Sequence, residues 1–215
     1  MSNQKTSRRN FLKIAGITVG ATALTCSGAG YVVTRKPSIS TPEVTYQGEE
    51  NTMNERILIT YATRAGSTAE IAAAIGESLS ERGFTVDVKS AKDKPMLDGY
   101  QAVLVGSAIR MGKWLPESIS FVEENQAALK QMPVALFTVH LNNLSDDEES
   151  RVARQTYLDA VRSMLPDAEA VYFAGAMDYS RLSFLDRLIA KAVGSTETDE
   201  RDWDRIRGWM PEAVG

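Results

Sequence analysis

The chain has 215 residues, 43% hydrophobic and 24% charged, a composition that suits one folded domain with an appendage and excludes a disordered or fibrous protein. Six of the 24 basic residues (Lys5, Arg8, Arg9, Lys13, Arg35 and Lys36) but only three of the 28 acids precede residue 54, so the remainder carries a net charge of about −7, which argues against nucleic acid as a partner. The single cysteine, Cys26, lies in that same leading stretch, so the rest of the chain has no disulfide, thiol nucleophile or cysteine-held metal, and redox work there requires a bound cofactor.

Taken in chain order, the first feature is Ser7–Lys13, SRRNFLK, followed by an uncharged run from Ile14 to Thr34. Two adjacent arginines, then Phe11, Leu12 and Lys13 before a mildly apolar Ala/Gly/Thr run, match the core of a twin-arginine export signal at every position. The match predicts an extracytoplasmic protein delivered by the twin-arginine export machinery. A run of about 20 uncharged residues also just reaches across a bilayer, so residues 1–36 read equally as a cleaved leader or as a retained membrane anchor. Residues 37–53, rich in Ser, Thr, Pro, Gln and Glu and without periodicity, read as a solvated tether, and the folded domain is expected over 54–215.

The most informative stretch is Arg56–Ile71, RILITYATRAGSTAEI, where an apolar run breaks into a short hydroxyl-rich loop and restarts at helical spacing. A strand feeding a helix through a tight turn leaves unpaired N–H groups at the helix start, and these donors with the helix dipole favour an anion such as a phosphate monoester. Thr63, Ser67 and Thr68 add hydroxyls, while Gly66 lets backbone approach closely. Neither G-x-G-x-x-G nor G-x-x-x-x-G-K-[ST] occurs here, which weakens dinucleotide and P-loop readings. An ordinary strand-to-helix turn capped by Thr and Ser is the bland alternative.

Beyond it, Ala69–Arg82 places Ile71, Ala72, Ile75 and Leu79 on one helical face, with Gly83 as the stop. Thr85–Lys89 alternates as a strand, and Ala102–Ser107 is a continuous apolar strand of the kind buried in a parallel sheet. Leu115–Lys130 reads as a helix, Val134–Val139 as a strand, Glu148–Met164 as a helix and Ala170–Ala174 as the last strand. Strands alternating with helices at this spacing imply right-handed crossovers and a doubly wound α/β sheet, whose ligands bind where the strand order reverses. Loops after Tyr61, Ser107 and Val139 would then meet at one crevice.

The segment Tyr61–Thr68, YATRAGST, resembles the phosphate-binding fingerprint of the flavodoxin superfamily through Tyr61, Thr63, Gly66 and Thr68, with Thr60 where the family has an apolar residue. The resemblance implies a five-stranded parallel sheet in the order 2-1-3-4-5 and FMN as cofactor. Its phosphate would be bound by Thr63, Arg64, Ala65, Gly66, Ser67 and Thr68. The flavin ring would be flanked by Ala108, Ile109, Arg110, Met111, Gly112 and Trp114 on one side and His140, Leu141 and Asn142 on the other. Trp114 reads either as a ring neighbour or as an anchor on the following helix. Arg110 either stabilises reduced flavin or pairs with a surface acid, and it is a candidate catalytic residue. His140, the lone histidine, is a second such candidate against the commoner structural role, and without partners it makes no metal site.

TRAGST, SAIRMGKW and the tail FAGAMDYSRLSFLDRLIAKAVGSTETDERDW resemble one branch of that superfamily, the menaquinone-dependent protoporphyrinogen dehydrogenases. That resemblance implies electron transfer through FMN to a quinone. Two departures bear on the substrate: the leader implies export, and the stretch Ser145–Glu149 after the fourth strand is acidic where the branch is basic, so it would repel a porphyrinogen's propionates. Two further readings stay open: an exported electron carrier that serves a redox protein partner and has no substrate of its own, and a fold that has lost its cofactor.

Overall fold

The computed structural model describes residues 43–47, 55–182, 184–192, 194 and 196–214. The twin-arginine pattern, the uncharged run and most of the tether lie outside them. Among the described residues no helix is long and apolar enough to cross a membrane, and no His/Cys/Asp/Glu cluster could hold a metal ion.

The chain divides into two compact units, the larger spanning 39–181 and 195–215. Its sheet contains β1 (Val44–Tyr46), β2 (Arg56–Ala62), β3 (Thr85–Ser90), β4 (Ala102–Arg110), β5 (Lys113–Trp114), β6 (Val134–His140) and β7 (Glu169–Ala174). The helices are α1 (Ser67–Glu81), α2 (Pro116–Leu129), α3 (Glu148–Thr156) and α4 (Asp159–Arg162). The tail adds a small hairpin, β8 (Ala176–Met177) with β9 (Thr198–Asp199), and α6 (Trp203–Gly208). The described part of the other unit centres on α5 (Phe184–Ala192), on which Leu188 and Ala192 are exposed.

The strand order is β1-β3-β2-β4-β6-β7, parallel throughout except for β1, which runs antiparallel to β3. Both faces of the central strands are covered, which is why β2, β4 and β6 read as unbroken apolar runs. Successive residues point to opposite faces. Ile57, Ile59 and Tyr61 enter one core with Ile71, Ile75 and Leu79 of α1 and Ile206 of α6. Leu58, Val103, Val105 and Leu136 enter the other with Phe121 and Val122 of α2 and Val161 of α4. β2 pairs with β3 on one side and β4 on the other, so the strand order reverses there and the crevice opens at the carboxyl ends of β2 and β4.

Four sequence expectations are corrected here. Val44–Tyr46 lies within the segment read as a tether, yet it forms an edge strand: Val44 pairs with Val88 and Tyr46 with Val86, and the Thr45 hydroxyl donates to Asp87 Oδ1 at 2.5 Å. The third parallel strand continues past Ser107 to Arg110, because its last residues find a new partner in β5. The helix expected over 148–164 is two, broken where Tyr157 and Leu158 turn into the core. The helix expected from Leu115 starts at Pro116, whose ring suits a first helical turn.

Candidate functional site

The loop from Thr63 to Gly66 joins β2 to α1. Gly66 has φ 92°, a left-handed conformation that a Cβ would penalise, and it occupies the N-cap of α1 with no side-chain cap. Its N–H donates instead to Thr63 Oγ1 at 3.0 Å, closing the loop on itself. The first helical bond runs from Glu70 N–H to Gly66 O at 3.1 Å, so the N–H groups of the first turn have no intrahelical acceptor.

Within that turn sits an anomaly. Thr68 is 0% exposed, and its Oγ1 has no hydrogen-bond partner. A buried hydroxyl without a partner costs about 1–3 kcal/mol by mutational data, so such atoms are rare without a reason. Ser67 beside it is also buried. Arg64 is the one cation of the loop, and Glu117 holds it: Nη2 lies 2.9 Å from Oε2. What the loop offers an anion is therefore neutral donors and the helix dipole.

The second wall is a hairpin where an irregular loop was expected. Met111 (φ 53°) and Gly112 (φ 74°) form a two-residue turn with both residues left-handed, the twist that joins tight antiparallel strands. Ile109 pairs with Trp114 and Arg110 with Lys113. Ala108, Ile109 and Arg110 are partly exposed and Met111 is 83% exposed at the tip. Two serines fix the hairpin's base: Ser107 Oγ accepts the Leu115 N–H at 2.9 Å, and Ser118 Oγ donates to Gly106 O at 2.7 Å.

Of the two readings of Trp114, the structure favours the packing anchor over the ring neighbour. Only 3% of it is exposed, and it packs in the core with Val105 and Phe121 while its indole N–H donates to Thr138 Oγ1 at 2.9 Å. The side chain turns inward because β5 places it opposite Ile109 and over the sheet.

For His140, at the end of β6, the structure likewise favours the structural role over that of a proton donor. It is 6% exposed and enclosed by Tyr157 and Tyr172, with ring centroids 5.7 and 6.2 Å away. Nδ1 lies 2.7 Å from the Asn142 carbonyl, which can only accept, so the neutral ring carries its proton on Nδ1. Burial outweighs that bond and holds the imidazole below its ordinary pKa, with the charges of Arg154 and Arg205 acting in the same direction. Of the third loop, Leu141 is half-buried and Asn142 exposed. Their backbone is shaped by Asn143, at φ 58°, whose Nδ2 donates to Tyr157 Oη at 2.7 Å.

A fourth wall escaped the sequence reading. The tail leaves β7 at Gly175, whose N–H donates to His140 O at 2.9 Å and whose O accepts from Glu200 N–H at 3.0 Å. A Cβ on Gly175 would stand 2.7 Å from Val139 Cγ1 and 3.5 Å from Ser67 Oγ, so the tail passes directly beside the start of α1. Between loop and tail hairpin lies a cleft of about 340 Å³. Glu70, in the first turn of α1, receives two guanidinium groups there, Arg181 Nη1 on Oε1 and Arg201 Nη1 on Oε2. Burial pushes the Glu70 carboxyl up, but the hydrogen bonds and charges of the two arginines prevail and hold it below the ordinary range. A single arginine set among three acids over Asp199–Asp202 was the available signal.

A family model described as a flavodoxin domain matches residues 58–204. Protoporphyrinogen IX dehydrogenase [quinone] of Escherichia coli (strain K12) is 31% identical over 173 residues, covering 73% of this chain and 93% of the relative. A protein of the same name from Leishmania major is 29% identical over 168 residues, covering 71% of each chain. Among solved structures, a flavodoxin from the domain Archaea aligns with a TM-score of 0.41 at 21% identity, over 65% of this chain and 93% of its own. With over half its length inside the family model and a relative of this identity matched across most of both sequences, the chain belongs to the flavodoxin domain family.

Proposed function

We infer that this domain binds FMN and works as an oxidoreductase, passing electrons from a small-molecule donor to a quinone or similar acceptor. The observation that carries the reading is the Thr68 hydroxyl, buried and unpartnered in the uncapped first turn of α1. A phosphate monoester supplies the missing acceptor for that hydroxyl and for the first-turn N–H groups together. The residues present therefore fit the group.

Thr63, Arg64, Ala65, Gly66, Ser67 and Thr68 would hold the phosphate, with Arg64 kept to a supporting role by Glu117. Ala108–Gly112 would border the ring on one side and Leu141 and Asn142 on the other. Bound FMN supplies reversible electron and hydride transfer, which no side chain of the crevice can perform. The hairpin's part is to shelter the ring and, through Arg110, to bring positive charge to that wall. The quinone acceptor is supported by the names of the relatives. The exposed acids at 146–149 weigh against the propionates of a porphyrinogen as the donor.

Those same acids favour a second reading, an electron carrier that docks on a basic protein partner by complementary charge. The visible spectrum of the purified protein tests the flavin: a yellow protein that releases FMN on denaturation is expected, and a colourless one that refuses added FMN refutes the reading. Steady turnover with a soluble quinone analogue then favours the enzyme, whereas reduction by protein partners alone favours the carrier. The leader is further read as delivering the domain by the twin-arginine route, residues 1–36 then being either cleaved or retained as a membrane anchor. Cell fractionation of the full chain, with and without Arg8→Lys and Arg9→Lys, tests it, and an unchanged cytoplasmic distribution of the unaltered chain refutes it.

A further inference from the structure

The acid in the first turn of α1 poses a problem that rests on the FMN reading. A phosphate monoester is close to a dianion at neutral pH, and Glu70 stands one helical turn from the loop that would hold it. Left alone, that carboxylate competes with the ligand for the positive end of the helix dipole.

The tail answers with two arginines. Arg201 is the better buried, its side chain 12% exposed, and it is fixed on three sides: Nη1 to Glu70 Oε2, Nε and Nη2 to Asp199 at 2.7 and 2.5 Å, and its guanidinium 4.6 Å above the Trp203 ring. Arg181 is half-exposed, its Nη1 on Glu70 Oε1 and its Nε 3.5 Å from Asp178 Oδ2. Both oxygens of Glu70 are thus occupied by guanidinium groups from the same tail hairpin region. Glu197 and Thr198 complete the polar lining of the cleft, and acids outnumber the two cations in it, so a free anion is not its natural occupant. What the arginines can do is act through Glu70.

The geometry points to Arg181 and Arg201 as positioning residues that neutralise Glu70 and so let the adjoining loop accept a phosphate monoester. The tail then makes the site selective for FMN over riboflavin, which lacks the phosphate and is indifferent to the charge of Glu70.

The test measures the dissociation constants of FMN and riboflavin for the full chain and for Arg181→Met, Arg201→Met and each of these combined with Glu70→Gln. Each methionine variant is expected to weaken FMN at least tenfold for Arg201 and at least threefold for the more exposed Arg181, with riboflavin unchanged. Adding Glu70→Gln is expected to recover at least threefold of the Arg201 loss, since the acid then needs no neutralising partner. Arg201→Lys, which keeps the charge, is expected to retain most of the FMN preference. A tail that merely braces the fold would lose both ligands in parallel and would gain nothing from Glu70→Gln, and either result overturns the inference. Should Arg201→Met fail to fold by circular dichroism, Arg181→Met decides: no selective FMN loss, or none restored by Glu70→Gln, overturns it. If the unaltered chain binds no FMN, the flavin reading falls and this inference with it, whereas FMN binding with unaltered selectivity in the variants removes only the inference.

Discussion

Replacing Thr68 by Val gives two effects of opposite sign, and the structure says why. The two side chains have nearly the same shape, and both are β-branched, so helix propensity and packing change little. What is lost is one hydroxyl that is fully buried and has no partner. Without ligand, that hydroxyl costs roughly 1–3 kcal/mol, so Thr68→Val should stabilise the flavin-free protein by up to that amount. With FMN bound, the same hydroxyl would donate to a charged oxygen, an interaction of about 1.5–3 kcal/mol, so the substitution should weaken FMN roughly 10- to 150-fold. Urea unfolding of the flavin-free protein reads the first number, and a titration following quenching of flavin fluorescence reads the second. Riboflavin serves as control and should bind both forms alike. A variant that is less stable without flavin yet binds FMN as before would refute the argument, because it would mean the hydroxyl serves the fold and not a phosphate.

Trp114→Phe should cost about 1–3 kcal/mol of stability by leaving Thr138 Oγ1 without its buried indole donor, and should leave the FMN dissociation constant unchanged; a large affinity loss in a folded variant would return Trp114 to the ring. Asp87 accepts from Thr45, Arg56 and Tyr100; burial pushes its carboxyl up, but these partners prevail and hold it below the ordinary range. A carboxyl lowered by folding stabilises above its unfolded pKa and loses that contribution as pH falls through the folded one, so unfolding free energy should drop below about pH 4 by less in Asp87→Asn than in the unaltered chain. For His140 the folded pKa lies below the unfolded one, so the unfolded chain takes up the proton first and stability should fall as pH drops below about 6.5; NMR titration of the lone imidazole should place its midpoint below that value, and a midpoint above it would refute the buried, neutral assignment. Finally, FMN affinity should change less than about threefold between 50 and 500 mM salt, because the loop's cation is already paired with Glu117; a steep dependence would show that Arg64 leaves Glu117 for the phosphate.

What could be read from sequence follows from how each feature is covered. β2, β4 and β6 are buried on both faces, so their burial is written as continuous apolar runs, and the turn after β2 announces itself by Gly and hydroxyls in series. β1 could not be read that way. It is three residues long and half-buried, and the features that make it a strand, Asp87 and the edge of β3, lie some 40 positions away in sequence. Trp114 was undecidable for a related reason: whether it faces in or out depends on β4 running on to Arg110, a question of pairing and not of local pattern. Glu70 is one acid among many in the sequence, and only the folded tail reveals that two arginines meet it.

The distribution of charge around the crevice ties these observations together. A domain with a net charge of about −7 cannot draw in an anion by its general field, and a site built on loose cations would also accept nucleic acids and other polyanions. Here the loop's own cation is bound by Glu117, the acid in the first turn of its helix is bound by the tail, and the loop is left with a buried hydroxyl and backbone N–H groups fixed by the fold. Such donors act only at hydrogen-bond distance and only on a group small enough to reach the first turn of α1. Selectivity for a single terminal phosphate would then come from geometry, and the acids elsewhere around the crevice would exclude the larger anions that otherwise compete.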